Sequence, residues 1–391
     1  MKLIFTVDAL TVGGVEMSFE SLIRYLDSKQ FEIELHLLNQ QTPLLVQLPD
    51  GVKIKNVEHS AYDTILPLRT CWKHLVRNRK YGLILKKICY SILTRLKISS
   101  LHILAKDMFR NTPHCECDVC FVLKENTPAL LYAARCLKHS KMYCFFHTAA
   151  YFQNGYKHSY YKYATKIITV SQGNRDFLFE KMPKLENKIL VIHNIVNPEY
   201  IRELAGQPNY KKSSTFNIVS VCRIDKEKGI DKMIQSCRLL LDNGFHTNWV
   251  IVGPMSDENG EYYNYCVDLI ETYNLQKHFV FAGYAENPYP YLEMSDVYVN
   301  ASDRESFGIV IREAQILGKL VVATDTYGSR ELIEDKITGI IVKNDSEDIT
   351  NALQLLINDE KLRNSIKFEL KNRDFDETKQ ILDEFRKLIT K

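Results

Sequence analysis

Two glutamates bracket a glycine turn in the last third of the chain, and their placement suggests a ligand site. Glu305 and Glu313 stand on either side of Gly308, with seven residues between them. The apolar run 297–299 predicts a buried strand before this turn, and 309–317 predicts a helix after it. A helix start offers backbone N–H groups to an anion or a polyhydroxylated ligand. Taken alone, however, the two glutamates could simply complement the helix dipole.

A second candidate is a cationic loop that follows the predicted strand 216–222. Arg223 and Lys228 lie on this loop, and Gly229 comes directly after Lys228. Two cations beside a helix start could hold a diphosphate without a metal ion. The plainer alternative is a solvated charged turn. Neither candidate is decisive without the other.

Together with their flanking residues, these motifs resemble a known donor site. Ser306-Phe307-Gly308 between the glutamates, Val321-Val322-Ala323-Thr324, and Gly328-Ser329-Arg330-Glu331 resemble the corresponding segments of glycosyltransferase family 4. Those enzymes are retaining, metal-independent sugar transferases of the GT-B fold. The resemblance implies an α/β chain with two Rossmann-like domains, a deep interdomain cleft, and a C-terminal helix that crosses back to the first domain.

The resemblance also implies roles for individual residues. Arg223 and Lys228 would bind and neutralise the donor diphosphate, and Glu305 would bind the sugar near its reacting carbon. Glu313 would accept hydrogen bonds from the ribose hydroxyls, since a carboxylate suits a vicinal diol. The full set of implied donor-binding residues beyond the cations and Glu305 is Gly13, Gly14, Tyr284, Phe307, Gly308, Ile309, Val310 and Glu313.

The first half of the chain carries two further candidates. Gly13-Gly14 follows the predicted strand 2–7 and precedes a predicted helix, but the G-x-G-x-x-G dinucleotide pattern is absent. Taken alone, such a glycine pair is more often a plain turn. Gly13-Gly14-Val15-Glu16, however, matches a loop of the resembling family that faces the donor phosphates and the acceptor. His147 ends the predicted strand 141–146, where a histidine could be structural. In the resembling family a histidine at this point reaches the transferred sugar, so His147 is a candidate catalytic residue.

Length and composition indicate two domains. The 391 residues exceed one ordinary core, and recurring strand–helix alternation predicts mostly parallel sheets. The resemblance places an acceptor domain at 1–198, a nucleotide-sugar domain at 199–372 and a returning helix at 373–391, with 206–214 as the best linker. The family's crossover Pro-Asn-Gly is altered here, because His193 replaces the proline and Ile195 the glycine.

The net charge bears on whether the chain binds nucleic acid, and the cysteines bear on the cellular compartment in which it works. A net charge of +3 is too small to indicate nucleic acid. The start of the chain, 1–7, predicts a first strand rather than a signal peptide, and scattered cysteines favour free thiols in the cytoplasm. The cluster 114–120 contains three cysteines and a histidine but lacks the second pair of a zinc ribbon, so we expect no metal site.

The stretch 69–109 differs from the rest of the chain. It contains ten lysines and arginines interleaved with apolar residues, and Asp107 is its only acid. This pattern is typical of a helix on an anionic membrane surface, here the inner face of the plasma membrane. A solvated helix that packs its apolar side on the domain remains an equal alternative.

We therefore expect a retaining, metal-independent glycosyltransferase that needs no cofactor besides its nucleotide-sugar donor. A UDP-sugar is favoured from family frequency only, and GDP-sugars share the motifs. The acceptor would be a glycan or a lipid-linked sugar, and 287–291 resembles capsule and cell-surface polysaccharide transferases. The alternatives are a catalytically silent subunit that binds a nucleotide sugar and a GT-B sugar-nucleotide epimerase.

Overall fold

The computed structural model of the chain describes residues 1–10, 13–26, 30–39, 48–57, 72, 75–77, 79, 81–95, 109–125, 127–147, 161, 163–206, 215–256 and 260–390. The chain divides into two compact units. The first contains 1–170, 175–192 and 385–391, and the second contains 171–174 and 193–384. Residues 207–214 of the predicted linker lie outside the described part of the chain.

The first unit is built on a seven-stranded sheet in the order β3-β2-β1-β5-β7-β8-β9, with every neighbouring pair parallel. Its strands are β1 Lys2–Val7, β2 Glu32–Leu37, β3 Lys53–Asn56, β5 Val119–Val122, β7 Lys141–Phe146, β8 Lys166–Thr169 and β9 Ile189–Val191. A small parallel pair joins β4 Cys115–Glu116 to β6 Leu137–Lys138. The helices are α1 Gly14–Tyr25, α2 Tyr81–Arg95 and α3 Thr127–Cys136. The strand order reverses between β1 and β5, and ligands bind at such a reversal in open α/β sheets.

The second unit contains a six-stranded parallel sheet in the order β12-β11-β10-β13-β14-β15. Its strands are β10 Phe216–Val221, β11 Thr247–Val252, β12 Phe279–Gly283, β13 Val297–Asn300, β14 Leu320–Thr324 and β15 Ile340–Val342. The order reverses between β10 and β13, so the loops that follow these two strands lie side by side at the carboxyl edge of the sheet.

Helices and short turns connect the strands of the second unit. Helix α4 Gln172–Lys181 contains residues of both units, and so does the C-terminal helix α13 Thr378–Thr390. The helices between them are α5 Pro198–Ala205, α6 Ile230–Asp242, α7 Glu261–Thr272, α8 Tyr289–Met294, α9 Ile309–Ile316, α10 Tyr327–Leu332, α11 Ser346–Asn358 and α12 Glu360–Asn372. Among the described residues, one 3-10 turn covers Pro183–Lys188 of the first unit and another covers Lys226–Lys228 of the second.

The sequence pattern predicted the elements around the glutamate turn closely. The strand expected at 297–299 is β13, which extends one residue further, and the helix expected at 309–317 is α9. At the carboxyl end of the chain, the helix begins only at Thr378, after an Asp-rich turn. Ile381, Phe385 and Ile389 form a buried stripe along this helix.

Apolar strands explain where the cores lie. In the first unit the Phe121 ring stacks on Phe5 at 4.8 Å and on Phe385 at 4.9 Å between centroids. In the second unit Trp249 and Tyr298 are the bulkiest fully buried side chains on β11 and β13. Within the described ranges, no helix combines the length and apolar character needed to cross a bilayer.

Candidate functional site

The glutamate turn takes the form that its glycine predicts. Gly308 has φ 84° and ψ 54°, a left-handed conformation that side chains other than glycine rarely adopt. A Cβ there would stand 2.9 Å from Cδ1 of Ile311 and 3.3 Å from Cγ of Glu305. Helix α9 therefore begins directly after a glycine that offers no side-chain cap. Its first-turn N–H groups are suited to an anionic or hydroxyl-bearing ligand.

The structure joins the two predicted candidate loops through an ion pair. The ammonium of Lys228 lies 3.0 Å from Oε2 of Glu305 and 3.5 Å from Oγ of Ser302. About a fifth of each charged side chain is exposed. The pair spans 77 positions in sequence. It forms because the parallel strands β10 and β13 deliver their following loops to the same edge of the sheet.

Both members of this pair are charged at neutral pH. Burial alone would raise the pKa of Glu305, but the Lys228 charge and the hydrogen bonds from Lys228, Asn300 and Ser302 lower it overall. Burial would likewise lower the pKa of Lys228, and the charge of Glu305 raises it overall. Lys228 is thus a largely buried cation that the Glu305 carboxylate holds in place.

Close backbone approaches lock the neighbouring loops together. A Cβ on Gly229, which has φ 64°, would stand 2.3 Å from the carbonyl oxygen of Ala301. The N–H of Asp303 donates to the carbonyl of Glu227 at 2.8 Å, and the N–H of Gly328 donates to the carbonyl of Glu305 at 2.9 Å. The loops after β10, β13 and β14 therefore hold one fixed arrangement, which preorganises the Lys228–Glu305 pair.

Arg223 and Tyr284 lie at the same edge of the sheet but are open to solvent. About half of the Arg223 side chain is exposed, and its guanidinium lies 3.2 Å from Asp225. Tyr284 follows β12 and is also about half exposed. The structure does not bring either residue into contact with Lys228 or Glu305, so their predicted donor-binding roles stay predictions.

Glu313 is buried rather than open at the surface of the site. Only 6% of it is exposed, and the Tyr289 hydroxyl donates to its Oε1 at 3.0 Å. Burial raises the pKa of Glu313 to about 7, although the Tyr289 hydrogen bond acts in the opposite direction. Near neutral pH this carboxyl is therefore partly protonated, and it can donate or accept a hydrogen bond.

A histidine clamp lies behind the turn, and its ring has two carboxylate partners. Nε2 of His193 lies 2.8 Å from Oε1 of Glu331, and Nδ1 lies 3.5 Å from Oε2 of Glu377. The ring also packs near Phe307 at 5.6 Å between centroids. Hydrogen bonds to Glu331 and then Glu377 raise the pKa of His193 to about 9. The histidine that replaces the family's proline thus has a structural role in this chain.

The first unit has its own polar cluster, at the reversal between β1 and β5. Glu16 is buried, and the Lys124 ammonium lies 2.5 Å from its Oε1 and 3.1 Å from the carbonyl of Ala9. A Cβ on Gly13 would stand 3.0 Å from Oε2 of Glu16, so glycine leaves room for that carboxylate. Gly14 opens helix α1. The glycine loop thus leaves space for the Glu16 carboxylate, and Lys124 connects this carboxylate to the loop after β5.

Asp8, directly after β1, adds a further ionisable group to this cluster. Burial raises its pKa to about 7, opposed by the nearby Lys124 charge. Its Oδ1 is buried and makes no hydrogen bond within the described part of the chain.

His147 lies next to these residues, at the end of β7. Its Nε2 lies 2.9 Å from the carbonyl of Leu123, its backbone N–H donates to Glu125, and its ring stacks on Phe145. Burial lowers the pKa of His147 to about 4, although the Leu123 contact opposes this. His147 is therefore neutral at pH 7, and Nε2 carries the proton that Leu123 accepts. Its predicted contact with a sugar stays a prediction.

Several site residues escaped the sequence argument. Asp8, Lys124 and Glu125 each come just after a strand of the first sheet, and Ser302 comes just after β13. Their position at strand ends was the available signal, since ligands meet the carboxyl ends of parallel strands. Tyr289 lies in the segment 287–291 that the resemblance singled out, but nothing in the sequence connected its hydroxyl with Glu313, since only the fold brings the two together. Among the described residues, no group of acidic, histidine and cysteine side chains could hold a metal ion, and the cluster at 114–120 is no exception.

The second unit contains a segment that matches a known protein family. Residues 202–373 match the model of the family described as glycosyl transferases group 1. The capsular polysaccharide biosynthesis glycosyltransferase CapM of Staphylococcus aureus is 29% identical over 212 residues, which cover 52% of this chain and 55% of that protein. A Campylobacter jejuni N-acetylgalactosaminyltransferase that acts on a diphospho-undecaprenol-linked sugar is 30% identical over 59% of this chain and 61% of its own length. The chain thus spans little more than half the length of these curated relatives.

Solved structures show the same fold over the whole chain. A glycosyltransferase from Rickettsia africae superposes with a TM-score of 0.68 at 20% identity, covering 99% of this chain and 97% of the other. Anabaena HepE, solved in complex with UDP and glucose, gives 0.67 at 16% identity, covering 100% and 99%. The two parallel-sheet units are therefore the two Rossmann-like domains of a GT-B fold, and the second carries a group 1 glycosyltransferase segment with homologues among capsular and cell-surface transferases.

Proposed function

We propose that this protein is a retaining, metal-independent glycosyltransferase of family 4. It takes a sugar from a nucleoside diphosphate sugar, with UDP favoured and GDP as the second choice, and passes it to a glycan or a lipid-linked acceptor. The product belongs to a cell-surface polysaccharide. The named activities of CapM and of the Campylobacter jejuni enzyme support this class of acceptor.

The observation that carries the proposal is the Lys228–Glu305 pair beside the start of α9. A diphosphate leaving group gains negative charge as the glycosidic bond breaks. Lys228 and the first N–H groups of α9 can receive that charge at fixed positions, with little reorganisation. Arg223 sits on the same loop and would approach the diphosphate from the solvent side once donor displaces water.

Glu305 and Glu313 would hold the two sugars of the donor. Glu305 would bind hydroxyls of the transferred sugar and stabilise positive charge at its anomeric carbon. Glu313 would bind the ribose hydroxyls, with Tyr289 fixing one of its oxygens. In the first unit, the cluster of Asp8, Glu16 and Lys124 with His147 is suited to a hydroxyl-rich acceptor.

The test is a donor screen on the purified chain with EDTA present. It follows release of nucleoside diphosphate from UDP-, GDP- and ADP-sugars, with and without a bacterial lipid extract. We expect release of nucleoside diphosphate from one donor, and more release when the lipid extract is present. NMR should show that the anomeric configuration of the transferred sugar in the product matches that in the donor. Inversion at that carbon would contradict retention, and loss of release in EDTA would contradict metal independence.

Variants connect that activity to the proposed site. Lys228→Ala should lower kcat at least about a hundredfold, since one group that stabilises transition-state charge is worth about 2.7–4 kcal/mol. Arg223→Ala should also lose most turnover. Lys319→Ala is the control, because Lys319 is 14% exposed and pairs with Glu293 at 3.1 Å, much as Lys228 pairs with Glu305, but precedes β14 at the other edge of the sheet. Full activity in Lys228→Ala or Arg223→Ala would refute that residue's assignment to the diphosphate.

The same screen separates the two alternatives. A sugar-nucleotide epimerase would change the configuration of the sugar without an acceptor and without net release of free nucleoside diphosphate. A catalytically silent subunit would show a thermal shift with a nucleotide sugar and no turnover under any condition.

A further inference from the structure

Helix α2 exposes its apolar side to solvent, which is the reverse of an ordinary surface helix. Tyr81, Leu85, Ile88 and Ile92 are 58%, 65%, 40% and 50% exposed. Their spacing of four, three and four places all of them on one face, which we call the apolar stripe. Ile84 lies at the edge of this face, next to Tyr81 and Ile88, and is only 7% exposed, so this edge of the helix packs into the first unit.

The apolar surface continues beyond the helix. Trp72 and Val76, which precede α2, are 48% and 37% exposed. Water-facing aliphatic and aromatic side chains at regular spacing mark an interaction surface, whereas single exposed apolar residues need no explanation. The alternative from the sequence, a solvated helix with its apolar side packed on the domain, accounts for Ile84 but leaves the exposure of the apolar stripe unexplained.

Exposed basic side chains lie on α2 and in the segment just before it. Arg77, Arg79 and Lys86 are exposed, and we call these three residues the basic border. The stretch 69–109 as a whole contains ten basic residues and one acidic residue. Lys87 does not contribute to this border, because only 5% of it is exposed.

We propose that the apolar stripe and its basic border form a docking surface for an anionic phospholipid bilayer. Helix α2 lies along the interface, its apolar side chains enter the headgroup boundary, and the lysines and arginines contact lipid phosphates. This proposal concerns binding and does not depend on the sugar-transfer reaction.

Charge complementarity selects this occupant over the others. A second copy of the chain would bring an equally basic surface against the first, and like charges at an interface are unfavourable. A nucleic acid would match the charge but not the aliphatic centre formed by Leu85, Ile88 and Ile92. Only a lipid surface offers an apolar layer and anionic groups at adjacent depths.

The experiment is cosedimentation of the full chain with vesicles of phosphatidylcholine alone and of phosphatidylcholine mixed with phosphatidylglycerol. We expect binding to the mixed vesicles, much weaker binding to neutral ones, and partial release by salt, which screens the basic border but not the apolar contact. Failure to bind the anionic vesicles would overturn the proposal. So would self-association that competes with vesicle binding.

Two double variants test the two components separately. Leu85→Ser with Ile88→Ser should weaken partitioning roughly tenfold or more, because two apolar side chains lose their burial. Its control is Leu355→Ser with Phe368→Ser, which removes apolar side chains that are 39% and 66% exposed on the second unit. Since all four side chains are at the surface, circular dichroism should show every variant folded.

The charge variant is Arg77→Glu with Lys86→Glu, and we expect it to weaken binding to anionic vesicles about tenfold or more. Lys361→Glu with Lys367→Glu, at exposed positions of α12, makes the same change in net charge elsewhere. Equal binding by each double variant and its control would show that helix α2 is not the contact.

Discussion

At the scale of single residues, Lys228 and Glu305 bind each other in the ligand-free protein, and in the proposed reaction both would also have to contact the donor. Without ligand, each charge neutralises the other at 3.0 Å. In the proposed reaction, a bound diphosphate would give Lys228 two anionic partners, and Glu305 would repel this diphosphate while positioning the sugar. The affinity for the nucleoside diphosphate product would thereby be low, which would favour its release.

Glu305→Gln should therefore bind nucleoside diphosphate more tightly and turn over more slowly. Removing the carboxylate charge releases Lys228 for the phosphates, and one pair interaction of this kind changes affinity by about five- to tenfold. Isothermal titration with UDP and GDP measures the first effect, and the donor assay measures the second. Glu293→Gln, which removes the partner of Lys319, should change neither. Weaker diphosphate binding in Glu305→Gln would contradict the proposed geometry.

Burial of Glu313, a proposed donor-binding residue, lowers the stability of the fold at high pH. Its pKa is raised to about 7 from 4.5 by burial. The folded state therefore binds more protons than the unfolded state between these values, and stability falls as pH rises through this window. The shift corresponds to about 3 kcal/mol at high pH.

Glu313→Gln should accordingly stabilise the ligand-free protein at pH 8 and abolish most donor binding. The gain in Tm should shrink toward pH 4.5, where the glutamate is protonated in the fold. Thermal melts across this range test it. Tyr289→Phe removes the hydroxyl that donates to Glu313 and should have the opposite sign at pH 8. An equal shift in Glu313→Gln at both pH values would contradict the burial argument.

At the scale of elements, the His193 clamp, formed by His193 with Glu331 and Glu377, connects α10 to the segment that precedes α13. Glu331 lies on α10 and accepts from the N–H of Gln172 at 2.9 Å as well as binding His193. Glu377 precedes α13 and also lies 3.8 Å from Arg312 of α9. One imidazolium thus links three elements and packs on Phe307 of the glutamate turn.

The pH dependence of the clamp has a defined sign. Its pKa is raised to about 9 from 6.5, so its stabilising effect is fully present below pH 6.5 and is lost as pH rises through about 9. His193→Gln should lower Tm most at pH 6 and least near pH 10. His246→Gln, at an exposed histidine of the second unit, should give a small and constant difference. A Tm loss for His193→Gln that does not change with pH would show that packing, and not charge, supports the clamp.

At the scale of the whole molecule, alternation of strand and helix predicted the parallel sheets, and the family resemblance supplied the two-domain GT-B fold. Buried apolar runs such as β13 and the glycine before α9 have strong local signals, so their bounds were predicted within a residue or two. Glu305, Lys228 and Gly308 were predicted as site residues from the glutamate spacing, the cationic loop and the family resemblance, and each comes after a strand. Their contacts depend on which strands are neighbours. The pair from Lys228 to Glu305 exists only because β10 lies next to β13 and not next to β12.

Other features could not be predicted from local pattern. Burial of Glu313 depends on packing of α8, and the second partner of His193 comes from the far end of the chain. The basic stretch posed the same difficulty, since sequence alone left the orientation of α2 open. The apolar stripe became visible only when the first unit showed which face was already occupied. Local composition predicts charge and periodicity, whereas burial is decided by the rest of the molecule.

The first unit is completed by the last residues of the chain. Phe385 is 1% exposed and stacks on Phe121, and the Tyr143 hydroxyl donates to the carbonyl of Leu388 at 2.6 Å. Residues separated by more than 200 positions thus share one core. This unit cannot reach its full packing until the whole chain has been synthesised.

Phe385→Ala should therefore destabilise the first unit by about 3–5 kcal/mol, the usual cost of a cavity left by a buried phenylalanine. Chemical denaturation followed by hydrogen exchange would locate the loss on β5, which carries Phe121, and on its neighbours β1 and β7. Phe368→Ala, at a position 66% exposed on α12, should change stability by less than about 0.5 kcal/mol. Loss of protection confined to α13, with β5 unchanged, would show that the helix only rests on a core that is complete without it.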